Sequence, residues 1–506
     1  MFMERKLIHK ILILLAFIPE LVYAQNFTEA MAAYNDGKFD KARSQFLALT
    51  SAEPSNDAAY YYIGLCDLRL NDAAEAEMFL KKAVELDNSN YWYKINLAEL
   101  YVGTNRVDKA VAIYEELLES NPKKTDIYYS LVNLYARQNN IQKILEALDE
   151  IEAISGKSEQ VTLARYDVLM GQNRHEEAFA ALQSYNEDFS SATILAAMGD
   201  YEMSMDRDSS ALRYYDEAMS CEAENLAAIL GKAEVFRTSK RYDDYFETIN
   251  LFIGSENAPA QSKVQYLTAL VQRMDADFRD RNIHRVDSLI QSCVRLYPDN
   301  YDVRVFYVQF LNFLEDWPEL AAQGEECYSI FPEETAFLEM KSLAYYNMKD
   351  YQNLLAESER IISIAPDDSA AVLGALTTIG DTYHLLGERK KAYAAYDKAL
   401  KLNPKYVPVL NNYAYYLSEE GRKLKKAYEM SKITVEAEPD NATYLDTFGW
   451  ILFLQGKAVE AKPFFKHAML YGGKESAVIL EHYAAVLRAL KEDDLAKVYE
   501  GMAEKL

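Results

Sequence analysis

Histidine is the side chain most often used as a metal ligand and general base, and the 506-residue chain has six of them, at 9, 175, 284, 384, 467 and 482. None sits in a His-Glu-x-x-His stretch, the spacing that brings two imidazoles and a carboxylate to one zinc ion. His467 and His482 are close enough to meet across a hairpin, with Glu481 beside them, but two ligands without a third at helical spacing make no metal centre. Gly472-Gly-Lys-Glu-Ser476 resembles part of a phosphate-cradling loop. The earlier glycine is missing, Ala468 standing there, and no strand pattern precedes it, so it reads as a turn. There is no Gly-x-Ser-x-Gly elbow, and with 79 Asp and Glu residues, paired carboxylates are too common to single out a catalytic couple. The sequence therefore supplies no catalytic, cofactor-binding or metal-binding set, and it reads as a non-enzyme.

The elements that would position any functional residue follow from composition. Half the residues are apolar, and only 18 are Gly and 12 Pro, which excludes disordered and collagen-like classes and predicts a mostly helical chain with short turns. Acidic residues exceed the 54 Lys and Arg, giving a net charge of -25, and no basic block is present to neutralise a phosphate backbone. Nucleic acid is not an expected partner. At the amino end, Arg5, Lys6 and Lys10 lead into the apolar run Ile11 to Ile18, and Val22-Tyr-Ala24 gives a small-x-small cleavage pattern before Gln25. Residues 1–24 are expected to be a signal peptide, since the run is far short of the roughly 20 residues that span a bilayer. No second hydrophobic span follows, and no cysteine at the cleavage site offers a lipid acceptor. The expected product is exported, to the periplasm or cell envelope, with no transmembrane span once the signal is removed. Retention of residues 1–24 would instead suggest a cytoplasmic regulator.

The strongest signal is self-similarity. From one small residue the next comes twelve positions on, another seven later, and a Pro or Gly five after that: Gly380, Ala392, Ala399, Pro404. The spacing recurs as Ala30, Ala42, Leu49, Pro54; as Ala98, Ala110, Leu117, Pro122; as Gly199, Ala211, Ala218, Ala223; and as Gly449, Ala461, Ala468, Gly473. Weaker copies run through Val308, Leu320, Cys327, Pro332 and Ser342, Leu354, Ile361, Pro366. Pro298, Pro332 and Pro366 are each 34 residues apart. A 34-residue period is that of a helical-hairpin solenoid, and the chain from Gln25 onward accommodates about fourteen units. Two antiparallel helices approach closely only where one side chain is small, so Gly or Ala on the first helix should face the second while Tyr, Leu and Phe fill the space around it. Cys293 and Cys327 occupy equivalent slots in adjacent units, too far apart for a disulfide, and Cys66 and Cys221 also fall on predicted helices. All four cysteines read as buried structural thiols.

The copy from Leu373 to Pro404, with Gly380, Tyr383, Gly387, Ala392, Tyr396, Ala399 and Pro404, resembles the tetratricopeptide repeat, and the resemblance extends over essentially all of the chain after residue 24. Asn411-Asn-Tyr-Ala414, Tyr444-Leu-Asp-Thr-Phe-Gly-Trp450 and Gly456 with Ala461 are similar to the form common in exported bacterial repeat proteins. The segment from Thr125 to Gln160 departs from the pattern, with Ile144 where Ala is usual, and the stretch from Asp275 to Asp287 looks like an insertion. The resemblance implies an all-α, right-handed superhelical solenoid, divided here into an N-terminal array over 25–260 and a C-terminal array over 261–506, whose last helix, Asp493 to Leu506, forms a cap.

In this family the first helix of each hairpin forms the concave, partner-binding face. Its outward positions here are Tyr61; Trp92 and Glu99; Tyr129; Phe313; Glu339 and Tyr346; Asp381 and His384; Asn411 and Tyr415; and Asp446 and Trp450. Aromatic anchors among carboxylates suit an apolar or basic peptide segment, which makes Tyr61, Trp92, Tyr129, Phe313, Tyr346, Tyr415, Asp446 and Trp450 the candidate partner-binding residues. Members that clamp a terminal carboxylate place Lys and Asn one turn apart on this face. The corresponding pairs here are Tyr61 with Leu65, Ile95 with Glu99 and Asn411 with Tyr415, which do not form that clamp. The expected function is a non-catalytic exported scaffold or adaptor for protein partners, used in assembling an envelope complex and needing no cofactor. The alternative is an accessory subunit of a polysaccharide-export or cell-wall enzyme machine.

Overall fold

The computed structural model describes residues 26–421 and 423–506, so the signal expected over 1–24 lies outside the described residues. Every regular element among them is helical. They form two compact units that meet in the sequence between Ser255 and Glu256. In the first, consecutive helices pair as α1 (26–35) with α2 (Phe39–Ala52), α3 (Asp57–Arg69) with α4 (Ala73–Leu86), and α5 (Tyr91–Gly103) with α6 (Val107–Ser120). Four more pairs follow: α7 (Thr125–Arg137) and α8 (Ile141–Ser155), α9 (Glu159–Gly171) and α10 (His175–Asp188), α11 (Ala192–Ser204) and α12 (Asp208–Cys221), α13 (Leu226–Thr238) and α14 (Tyr242–Gly254). The second unit also has seven hairpins. They begin with α15 (Ala260–Arg273) and α16 (Ala276–Leu296), α17 (Tyr301–Leu314) and α18 (Trp317–Ile330), and α19 (Ala336–Asn347) and α20 (Tyr351–Ile364). The remaining four are α21 (Ser369–Leu385) and α22 (Arg389–Leu402), α23 (Val407–Glu419) and α24 (Leu424–Ala437), α25 (Ala442–Leu454) and α26 (Ala458–Ala468), and α27 (Ala477–Ala489) and α28 (Asp493–Ala503). Both units are thus all-α hairpin solenoids. The stretch expected as an insertion, 275–287, is the front half of the 21-residue α16.

The helices start and stop where side chains can satisfy the unpaired groups at their ends. Asn56, Asn225 and Asn300 each accept a backbone N–H from the first turn of α3, α13 and α17. At the bend inside most hairpins one residue takes the left-handed conformation, and the next residue's N–H reaches back six positions inclusive to close the helix end. Thus Asn71 has φ 63° and the Asp72 N–H donates to the Asp67 carbonyl at 2.8 Å. The same geometry falls on Asn105, Asn139 and Asn173, each 34 residues after the last, and on Gly387 and Gly456. It also falls on Lys240, Glu315, Lys349 and Lys491, whose Cβ atoms make that conformation costly.

Hairpins close through small-to-large contacts. Tyr215 on α12 is fully buried between Gly199 of its own hairpin and Gly231 of the next first helix, and a Cβ on Gly199 would lie 2.5 Å from its ring. Gly380 faces Tyr396 in the same way, Gly449 faces Phe465, and Gly64 faces Leu80. Each large side chain ends in a defined place. The Tyr215 hydroxyl donates to Asp200 at 2.7 Å, and that of Tyr396 donates to Asp381. Ile144, which replaces the usual small residue, is simply buried. Of the four cysteines, 66, 293 and 327 are buried, but Cys221 is exposed. It is the last residue of α12, where the helix runs out of the core, so the expectation of a buried thiol fails there.

Two outcomes follow for stability. Gly199→Ala forces a methyl into the Tyr215 ring and should cost about 1–3 kcal/mol, seen as a lower urea midpoint; an unchanged midpoint would contradict the contact. Lys349→Gly relieves a left-handed residue and should raise the unfolding free energy by about 1 kcal/mol, seen as a higher urea midpoint, whereas a drop would show that the lysine side chain contributes more than its backbone costs.

Candidate functional site

The candidate residues all lie on first helices of hairpins, but they are not one cluster. In the first unit they are spread over α3, α5 and α7. The Tyr61 ring lies 4.7 Å from that of Tyr93, and the Asn96 amide donates to the Tyr61 hydroxyl at 3.1 Å. Burial pushes the Tyr61 hydroxyl up to about 12. Trp92 is 65% exposed, edge-on to Tyr91, and Tyr129 is half-buried against the surrounding core. In the second unit Phe313 is exposed near the end of α17, beside Phe310.

Tyr415, Asp446 and Trp450 belong to a continuous polar and aromatic ladder across α21, α23, α25 and α27, whereas Tyr346 on α19 is exposed and lines a groove beside it. It begins at Asp381, whose carboxylate accepts from Tyr396 and from the Asn412 amide at 3.1 and 3.2 Å. Burial pushes the Asp381 carboxyl up, against the pull of those two donors. Tyr416 carries the stacked ring of His384, and Tyr415 lies 5.8 Å from Tyr416 and 6.3 Å from His482. Burial raises the Tyr415 hydroxyl to about 12, with Glu419 and Asp446 adding to it. Burial also holds His384 below the usual imidazole range, with Arg389 adding to it.

His482 ties the far end together. Its ring stacks on Trp450 with centroids 3.9 Å apart and planes 11° apart, and its Nδ1 is 2.9 Å from Asp446 Oδ1. Trp450 Nε1–H donates to Glu419 at 3.0 Å. Asp446 is only 4% exposed, so it acts through His482 rather than directly on the surface, and burial pushes its carboxyl up while His482 opposes the shift. His467 does not join His482. It bonds Asp440 at 2.7 Å instead. Among the described residues, no three His, Cys, Asp or Glu side chains gather in a metal-holding group, and no helix is long and apolar enough to cross a membrane.

Asn411, read as an outward position, is 4% exposed, so that expectation is wrong by one residue. Its neighbour Asn412 faces the ladder. Asn412, Tyr416, Glu419 and His482 are the members that sequence reading missed. They sit 31 to 36 residues from their partners, the span between neighbouring first helices, and that span was the only signal available to find them. Chemically the ladder offers ring faces and hydrogen-bond acceptors, a set that suits apolar and cationic groups.

Removing His482 takes the stacking partner from one of only three tryptophans and the partner from a buried carboxyl. His482→Ala should shift Trp450 emission and destabilise the second unit by about 1–3 kcal/mol. An unchanged spectrum together with an unchanged unfolding midpoint would refute the ladder.

Tetratricopeptide-repeat family models match residues 27–91, 67–135, 373–406 and 395–428, all of which fall on the hairpins described above. Among curated proteins, the chain is 28% identical over 176 residues to the β-barrel assembly-enhancing protease of Escherichia coli K12, covering 33% of this chain and 35% of that one. The chain therefore spans about a third of that relative's length. It is 20% identical over 447 residues to the TPR repeat-containing protein MJ1428 of Methanocaldococcus jannaschii, covering 83% and 76% of the two chains. Among solved structures, yeast Tom70 is 14% identical with a TM-score of 0.35, covering 88% of this chain and 95% of that one. A tetratricopeptide repeat protein from Parabacteroides merdae is 16% identical with a TM-score of 0.30, covering 52% and 98%. With the repeat models seated on its hairpins, the chain carries tetratricopeptide repeats over residues 27–135 and 373–428.

Proposed function

We propose that this chain is a non-catalytic exported scaffold that holds protein partners on its first-helix face and serves the assembly of an envelope complex. The observation that carries the reading is the ladder from Asp381 through Tyr416, Tyr415 and His482 to Trp450 and Glu419. It fixes aromatic rings and acceptors rigidly across successive helices, as a binding surface requires. Repeat arrays of this kind serve as extended binding surfaces. Export rests on the residue pattern over 1–24, and the envelope role is supported by the E. coli relative's name, which refers to β-barrel assembly. That relative is also named a protease, which favours a second reading as an accessory subunit of an enzyme machine.

The test is cross-linking pull-down of the tagged protein from its native envelope fraction, beside a Tyr415→Ala, Trp450→Ala variant. Capture of a stoichiometric partner should fall by roughly tenfold in the variant, with helicity by circular dichroism unchanged. Equal capture would discard this face as the binding surface. Amino-terminal sequencing of the recovered protein should begin at Gln25, and a retained Met1 would overturn export.

A further inference from the structure

The hairpin bends of the second unit run from Glu315 to Lys349 at a spacing of 34 and then to Gly387 at 38, because α21 carries one extra helical turn. α21 has 17 residues against 13 in α23, α25 and α27. The first half of α21 carries small side chains, Ala370 in the added turn and Gly374 and Ala375 just after it, which line a groove with residues of α19 and α20. A groove of about 580 Å³ results. A Cβ placed on Gly374 would meet nothing within 4 Å.

The groove's polar groups share one preference. Its lining includes the carboxylates of Glu339 and Asp381 and the rings of Tyr346 and Tyr416, with no Lys, Arg or His. Ser342 also lines it. That side chain is 8% exposed, and its hydroxyl has no hydrogen-bond partner, although buried hydroxyls are ordinarily satisfied. An ammonium group carries three donors and no acceptor, which complements two carboxylates and an unpartnered hydroxyl, and it can rest against a tyrosine face. Behind Tyr416 lies His384, kept toward its neutral form by burial, so it does not oppose a cation. Leu343, Leu354 and Ile361 offer an apolar wall for an alkyl stem.

We propose that this groove receives a lysine side chain from a segment of the scaffold's protein partner. The proposal rests on the scaffold reading and gives it a specificity. The stem lies along the apolar wall, and the ammonium reaches Ser342 between Glu339 and Asp381.

The test uses the full chain and a fluorescein-labelled short peptide of serine and leucine with one central lysine, beside the same peptide carrying norleucine. Anisotropy titration should show the lysine peptide binding roughly tenfold tighter. Gly374→Leu, which projects into the open groove, should remove that preference, and Glu339→Gln should reduce it several-fold, both with unchanged circular dichroism. Equal affinity for the two peptides, or a preference that survives Gly374→Leu, would overturn the proposal. The partner pull-down separates this result from the scaffold reading: capture lost in the Tyr415→Ala, Trp450→Ala variant but intact in Gly374→Leu discards the groove alone. Capture insensitive to all three substitutions discards the face as well.

Discussion

The hairpin solenoid depends on one steric constraint, the close approach of a small residue on the first helix, glycine in four of the hairpins, to a large ring or branched chain on the second. Gly199 with Tyr215, Gly380 with Tyr396 and Gly449 with Phe465 are the same contact made three times. Close approach lets the ring reach past its own hairpin to the next first helix, as Tyr215 reaches Gly231, so the contact that closes one unit also joins it to its neighbour. Stacking of this kind lets neighbouring repeats share a core cluster, as in the one that runs from Ala76 to Val161, where no repeat buries its apolar face alone.

The functional face grows out of that contact. In α11 and α21 the residue after the small glycine is an aspartate, and the hydroxyl of the buried tyrosine ends on it: Tyr215 on Asp200 and Tyr396 on Asp381. Core packing thereby sets the position of a carboxylate at the edge of the first-helix surface. In the second unit Asn412 extends this arrangement to α23, and the Asp446, His482 and Trp450 set repeats the principle with an imidazole in place of the phenol. Buried polar networks that are satisfied in this manner hold side chains in one geometry, which suits a surface meant to be recognised.

Much of this was legible in the sequence, and the reason is periodicity. The spacing of Gly380, Ala392 and Ala399 encodes contacts within a hairpin, and those contacts recur every 34 residues. What the spacing does not encode is the pairing between neighbouring first helices, which depends on how one hairpin rotates against the next. Asn411 and Asn412 therefore exchanged roles, and His482 found Asp446 rather than His467. The left-handed bends are a second kind of miss. Asn71 and Gly387 announce the conformation chemically, whereas Lys240, Lys349 and Lys491 adopt it with no such signal in their residue type.

The added turn of α21 bears on how such arrays tolerate insertions. Four residues advance an α-helix by about 400°, only about 40° beyond a whole revolution, so everything after the insertion returns to nearly its former face. Two extra residues would swing the downstream face to the opposite side, and Gly380 would no longer meet Tyr396. A solenoid built on this contact can therefore gain or lose length in single turns, opening or closing a recess between fixed neighbours while the alignment of later repeats is retained.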